Sequence, residues 1–112
     1  MEVVNNNVKS KGRILEYLKN MKVNSSNVHY EFELDKYILS IVMITTSSIT
    51  PNRKENEYLV YLLIQDKEDN KIYGDFFVKK FNMKFKADNY YKELKINANL
   101  LTEKEIIKLI KS

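Results

Sequence analysis

Residues 57–65 read EYLVYLLIQ, and no other stretch of the 112-residue chain restricts its fold so tightly. Side chains alternate along a strand, so Tyr58, Val60, Leu62 and Ile64 would fill one face and Leu59, Tyr61 and Leu63 the other. Tyr37 to Thr46 repeats the pattern around Ile41, Val42, Met43 and Ile44. Apolar residues on both faces place a strand at the centre of a sheet or under cover on both sides.

Other strands can be read around these two. Val28, Tyr30, Phe32 and Leu34 alternate with His29, Glu31, Glu33 and Asp35, the pattern of a strand with one wet face. Asp35 and Lys36 form a tight turn into the next strand, although the glycine that favours such turns is missing. Lys71 to Lys79 resumes β character through Ile72, Tyr73, Phe76, Phe77 and Val78. Polar residues 66–70 make it a hairpin with 57–65. Thr46 to Asn56 reads as an exposed loop around Pro51, the only proline, with Arg53 and Lys54 near its tip.

The flanks are expected to be helical. Residues 1–8 contain Asn5, Asn6 and Asn7 in a row and read as a flexible start. Ile14, Leu15, Leu18 and Met21 then mark one apolar stripe of a helix over Lys11 to Lys22, which Gly12 weakens at its first turn. The helix stops within Asn20 to Asn27. Near the other end, Thr102 and Glu105 have capping-box spacing and Leu101 can staple onto Ile106. Ile106, Ile107, Leu109 and Ile110 form the stripe to be buried, with Lys104, Lys108 and Lys111 outward. A helix of about ten residues is marginal alone and must dock on the sheet. Phe81 to Asn97 reads two ways: Phe81, Met83 and Phe85 alternate as in a strand, Asn89 to Lys95 suits a helical turn, and Lys95 to Ala98 a final short strand.

The expected fold is therefore α+β: a four- to five-stranded, mostly antiparallel sheet with N-terminal and C-terminal helices packed on one face, forming a single domain over 1–112. A chain of this length buries roughly two-thirds of its unfolded surface without metal or disulfide. There is no cysteine, which excludes disulfides, thiolate nucleophiles, thiolate-bound zinc sites and cysteine-ligated iron–sulfur clusters. The N-terminus has Glu2 and broken apolar runs in place of a secretory core. The apolar run from Tyr37 to Ile49 is interrupted by serine and threonine and falls short of the ~20 residues of a membrane helix. A cytoplasmic location without membrane contact is the resulting expectation.

The net charge of +4 is unevenly spread. Lys9, Lys11, Arg13, Lys19 and Lys22 dominate the first thirty residues, lysines dominate 76–112, and acids dominate Glu31 to Asp75. Only Arg13 and Arg53 are arginine, the residue favoured for bidentate grip on phosphate or guanine. That argues against sequence-specific reading of DNA. No recognition helix follows the first helix, which argues against a helix-turn-helix.

His29, Glu31 and Glu33 share a strand face where alternate residues lie about 6.6–7 Å apart, a spacing that suits a hard metal or a base with its orienter. A wet strand face predicts the same pattern. A metal-free ribonuclease built on His29, Glu31 and nearby lysines would have to attract phosphates to an acidic face. Gly12 and Gly74, the only glycines, complete neither phosphate-loop pattern, and no serine lies in a nucleophile elbow. The reading therefore assigns no catalytic, metal or cofactor-binding residue and expects a protein that is not an enzyme.

The residues expected to make contacts are Lys79, Lys80, Lys84 and Lys86, interleaved with Phe77, Phe81 and Phe85, then Tyr90, Tyr91 and Lys92, together with Arg53 and Lys54. Lysine beside exposed rings suits single-stranded nucleic acid, and a core-facing strand with a lysine-rich outer side looks the same. Eight tyrosines favour protein contact, where a ring supplies area and a polar tip. The leading expectation is a small protein-binding module that inhibits or regulates a nucleic-acid-processing enzyme by occupancy, its acidic centre covering a basic surface. The size also suits a regulator carried on a mobile element, though no motif points there. The alternative is a weak, sequence-independent DNA or RNA binder. An edge strand such as Val28 to Asp35 would also permit a homodimer.

Overall fold

The computed structural model describes residues 7–20, 25–50 and 53–112, with side chains described for 7–20, 29–47 and 56–112. The elements follow in the order β1 (Val8–Lys11), α1 (Ile14–Lys19), β2 (Ser25–Glu33), β3 (Tyr37–Thr50), β4 (Arg53–Asp66), β5 (Lys71–Phe81), α2 (Lys84–Asn99) and α3 (Glu103–Lys111). The strands form one five-stranded sheet in the order β1-β5-β4-β3-β2, with every neighbouring pair antiparallel. The fold is thus α+β, with a helix near each terminus.

Alternation along β4 explains why this sheet has two cores. Val60, Leu62 and Ile64 join Leu39, Ile41 and Met43 of β3 on one face, under Ala87, Leu94 and Ala98 of α2 and Ile106 of α3. Tyr61 and Leu63 join Val42 and Ile44 of β3 and Ile72 of β5 on the opposite face, under Ile14 and Leu18 of α1. Burial of each such side chain contributes roughly 1.5–3 kcal/mol, so the two central strands supply much of the stability. Contrary to the expectation from the sequence, the helices do not share one face: α1 covers one side and α2 with α3 the other. The double-sided apolarity of 37–44 and 58–64 requires this division.

Three other expectations are corrected. The described residues of Thr46 to Asn56 are strand and not loop, because β3 and β4 stay in register to Thr50 opposite Arg53; positions 51–52 lie outside the described residues. The polar residues there reflect the end of the long hairpin, and a polar strand lacks the alternation that identifies a half-buried one. In Phe81 to Asn97 the helical reading of Asn89 to Lys95 holds but the two strand readings do not: β5 ends at Phe81 and one sixteen-residue helix begins at Lys84. The period that matters is Ala87, Leu94 and Ala98 at i, i+7 and i+11, and two of these residues are too small to stand out as an apolar stripe. The flexible start lies outside the described residues for 1–6. Its last residues are structured: Asn7 accepts a hydrogen bond from the Gly74 N–H at 2.9 Å, and Val8 opens β1 beside β5. The described part of the first helix is Ile14–Lys19, and the expected helix stop at 20–27 falls partly on 21–24, outside the described residues.

β5 is irregular in a way that shapes its surroundings. Val60 opposes Lys79, Leu62 opposes Phe76 and Ile64 opposes Tyr73, so twice two residues of β4 face three of β5. Each extra residue makes a bulge that bends the strand and redirects its side chains. At the bulge between Tyr73 and Phe76, a Cβ on Gly74 would overlap the end of the Leu63 side chain, which would have to shift to admit it. At the other, Phe77 adopts φ 56°, a left-handed conformation costing about 1–2 kcal/mol for a non-glycine residue.

At α3 the expected cap is present in full. The Thr102 hydroxyl accepts from the Glu105 N–H at 3.2 Å, and the Glu105 carboxylate accepts from the Thr102 N–H at 3.1 Å. Leu101 and Ile106 both belong to the core under α2 and α3. Ile107 departs from the expected stripe and is exposed. Asn7 also anchors the end of this helix, its side-chain amide donating to the Ser112 carbonyl at 2.8 Å and the Leu109 carbonyl at 3.2 Å.

Candidate functional site

The surface around α2 and the end of β5 gathers most of the expected contact residues. The bulge turns Phe77 outward and presents its carbonyl to α2, where the Tyr90 hydroxyl donates to it at 2.6 Å. The Tyr90 ring lies 5.6 Å from that of Phe81, and the Lys79 ammonium sits 4.8 Å from its centroid. Burial, helped by Glu93, pushes the Tyr90 phenol above its usual range, so it remains a hydrogen-bond donor at neutral pH. Between β5 and α2 lies a cavity of about 270 Å³ bounded by Phe77, Lys79, Tyr90, Leu94, Ala98 and Leu101. A second depression of about 310 Å³ shares Phe77 and Leu101 and continues along α3 to Lys108 and Leu109.

Tyr91 lies on the other side of the helix from this cavity. Lys95 stands 4.4 Å from the ring centroid of Tyr30 on β2, a cation–π contact that ties α2 to the sheet edge, and 5.7 Å from that of Tyr91 one turn back on the same helix. Tyr90 and Tyr91 are both half-buried and belong to the margin of the core, so neither is a freely exposed ring.

The outward face of α2 differs from its docked face. At 100° per residue, Phe85, Asn89, Lys92 and Ile96 line up on one side, opposite Ala87, Leu94 and Ala98. Phe85 is 56% exposed and Ile96 65%, with Leu100 at the helix end 73% exposed. Lys92 stands between the two apolar residues and Lys86 lies beside them, both exposed.

Two of the remaining expected contact residues, Lys80 and Lys84, have local partners. Lys80 pairs with Glu57 at 3.1 Å across the β4–β5 ladder, and Lys84 pairs with Asp88 at 3.0 Å one turn along α2. Both are surface pairs, worth about 0–1 kcal/mol. Arg53 and Lys54 open β4 at the far end of the long hairpin, and their side chains lie outside the described residues. His29, Glu31 and Glu33 do share a face of β2, with Glu33 paired to Lys67 at 3.3 Å. Among the described residues, no three His, Asp or Glu side chains are grouped to hold a metal ion.

Two groupings were not visible in the sequence. Lys104 and Lys108 of α3, with Lys111 a turn beyond, border a depression of about 710 Å³ that Lys36 approaches from the β2–β3 turn, held 3.6 Å from Glu103. The i, i+4, i+7 spacing of the helical lysines was legible, while the arrival of Lys36 depended on tertiary structure. On the α1 face, Asp75 acts electrostatically on Tyr17 and Tyr61, and burial pushes both phenols up. Asp75 itself is raised by desolvation, against the opposing pull of Lys9.

Among the described residues, no helix is long and apolar enough to cross a membrane. Comparison with protein-family models, curated protein sequences and solved structures finds no match to this chain.

Proposed function

We propose that the chain is a small protein-binding module acting by occupancy and not by catalysis, with the outward face of α2 as its contact surface. The observation that carries this reading is the exposure of Phe85 and Ile96 on the side of α2 facing away from the core. Apolar side chains aligned on a helix that is already docked by its other face have no further intramolecular use, and apolar patches of this kind mark interaction sites. Lys86 and Lys92 frame them, so the fitting partner presents an apolar groove with acidic groups at its border.

This modifies the electrostatic part of the sequence argument. Glu33, Glu57 and Asp69 are each paired with a neighbouring lysine, which reduces the net charge the acidic centre offers to a basic target. Inhibition or regulation of a nucleic-acid-processing enzyme then acts through an acidic, apolar site on that enzyme. The test is affinity capture after nuclease treatment with the wild-type chain and with a Phe85→Ser/Ile96→Ser double variant, each shown by circular dichroism to be folded. A partner recovered stoichiometrically by the first and lost with the second supports the reading. Equal recovery by both overturns it.

A second reading rests on the lysine-lined depression of α3, where Lys36, Lys104, Lys108 and Lys111 can neutralise phosphates without reading bases. Weak, sequence-independent DNA or RNA binding through this surface would fall steeply with salt and disappear in a Lys104→Glu/Lys108→Glu variant. A salt-insensitive interaction would exclude it.

A further inference from the structure

We propose that β2 is a self-complementary edge through which two copies of this chain join into one continuous ten-stranded antiparallel sheet. This goes beyond the protein-binding reading, because it uses the opposite side of β2 from β3 and no residue of the outward α2 face.

The starting observation is the hydrogen-bonding direction of β2. The Leu34 N–H donates to the Tyr37 carbonyl at 2.8 Å, so Leu34 points its backbone groups toward β3. The β2–β3 register runs unbroken from Ser25 opposite Thr46 to Glu33 opposite Ile38. Backbone direction alternates residue by residue, so Glu33, Glu31, His29 and Asn27 point their N–H and C=O groups away from the sheet. Among the described residues no strand pairs with that side of β2. The other edge, β1, has four residues, whereas β2 has nine.

A long open edge is ordinarily protected by charge, and the charges of β2 are arranged to select one pairing. When two copies of β2 run antiparallel with Tyr30 opposite Tyr30 on the two-fold axis, His29 of each copy stands opposite Glu31 of the other. Glu33 then faces the uncharged Asn27, and Phe32 faces Val28. No acid meets an acid. Moving the register by one step of two residues toward the C-terminal end places Glu31 opposite Glu31, and moving it the other way places His29 opposite His29. Centring on Glu31 also sets His29 opposite Glu33, but with an acid facing an acid on the axis. Of these three registers only the Tyr30-centred one forms two His–Glu pairs, each able to join an imidazole N–H to a carboxylate, without a like pair.

Geometry supports the same register. The outward backbone groups of Asn27, His29, Glu31 and Glu33 supply about eight interchain hydrogen bonds when both copies are counted. Tyr30 falls at a non-hydrogen-bonded position, where cross-strand side chains come closest and aromatic pairs are favoured. Tyr30 is already oriented there by Lys95 at 4.4 Å and by Phe32, whose ring lies 6.0 Å away. Because the same patch meets itself, the contact closes as a dimer and leaves the two β1 strands at the outer edges.

Sedimentation equilibrium of the full chain over a range of concentrations tests this. The expected result is a reversible species of twice the 13.3 kDa chain mass. His29→Glu puts an acid opposite Glu31 and should weaken the dimer at least about tenfold, since the symmetry axis repeats the repulsion. Adding Glu31→Lys to it restores an opposite-charge pair and should restore the dimer. Glu31 is exposed, so Glu31→Lys alone keeps the fold and should also weaken association, removing the carboxylate acceptor. A wild-type chain that stays monomeric, variants that associate as the wild type does, or a double variant that fails to recover while still folded would overturn the proposal. Open-ended polymers would overturn it too, because they indicate β1 pairing head to tail with β2.

Discussion

The two faces of the sheet are covered unequally. On one, the sixteen residues of α2 and the nine of α3 cover Leu39, Ile41, Met43, Val60, Leu62 and Ile64. On the other, the six described residues of α1 cover Val42, Ile44, Tyr61, Leu63 and Ile72 with Ile14 and Leu18. A strand apolar on both sides thus obtains a thick lid on one face and a thin one on the other. The thick lid also carries the surface proposed for binding, which follows physically: an outward helix face can be devoted to a partner only if the inward face already anchors the helix.

The largest expected effect comes from removing the thick core. Leu62→Ala leaves a cavity under α2 at the centre of the sheet and should cost about 3–5 kcal/mol, read as a lower midpoint in urea with little change in slope. Leu18→Ala should cost less, about 2–3 kcal/mol, because a helix held by two buried residues can detach while the sheet stays folded. Hydrogen exchange separates the cases: α1 amides should lose protection in Leu18→Ala while α2 amides keep it. Equal loss in both helices would show that the faces form a single cooperative unit.

Gly74→Ala tests the thin face from the strand side. The added methyl meets the Leu63 side chain, which is fully buried beneath α1, and should cost about 1–3 kcal/mol. A further Leu63→Val substitution that shortens the obstructing group should recover part of that loss. No recovery would mean that the cost arises in the backbone of β5 and not in side-chain overlap.

The same contrast explains what could be read from the sequence. The part of β4 from Glu57 to Gln65 was legible because both its faces alternate in large apolar residues, while its polar start at Arg53 to Asn56 read as loop; the α3 cap was legible because Thr102 and Glu105 interact over one turn. Helix α2 was obscured because Phe85 in its first turn and Met83 at its N-cap point away from the core, while the small Ala87 and Ala98 pack beside Leu94. Size misled where periodicity was correct. β1 was missed because four residues cannot show alternation and because it pairs with β5, more than sixty residues away. The contact residues near 79–92 were found by composition, but their division between docked rings and exposed lysines depended on the Phe77 bulge, which no local pattern announces.

Smaller effects distinguish the faces by their carboxylates. On the thick side, Thr102→Ala should cost about 1 kcal/mol, measured by thermal or urea unfolding, by leaving the first turn of α3 uncapped. Glu105 belongs to that cap: the Thr102 N–H and hydroxyl hold its carboxyl below the ordinary value of 4.5. Its contribution is fully present above 4.5 and is lost as pH falls through the lower folded value. Asp75, on the thin side, is shifted the other way. Burial raises its carboxyl above 3.8, with Lys9 opposing, so the native state takes up this proton before the unfolded chain does. Its ionisation penalises folding at neutral pH, and that penalty is relieved as pH falls through the raised folded value and is gone below 3.8. Asp75→Asn should therefore be slightly more stable than wild type at pH 7, with the difference shrinking on acidification, whereas Glu105→Gln should flatten the acid-side loss of stability. Urea unfolding of both variants across pH 3–7 measures the two slopes. Slopes of the same sign would show that Asp75 gains enough from Lys9 to offset its burial, and that the thin face supports its carboxylate as well as the cap supports Glu105.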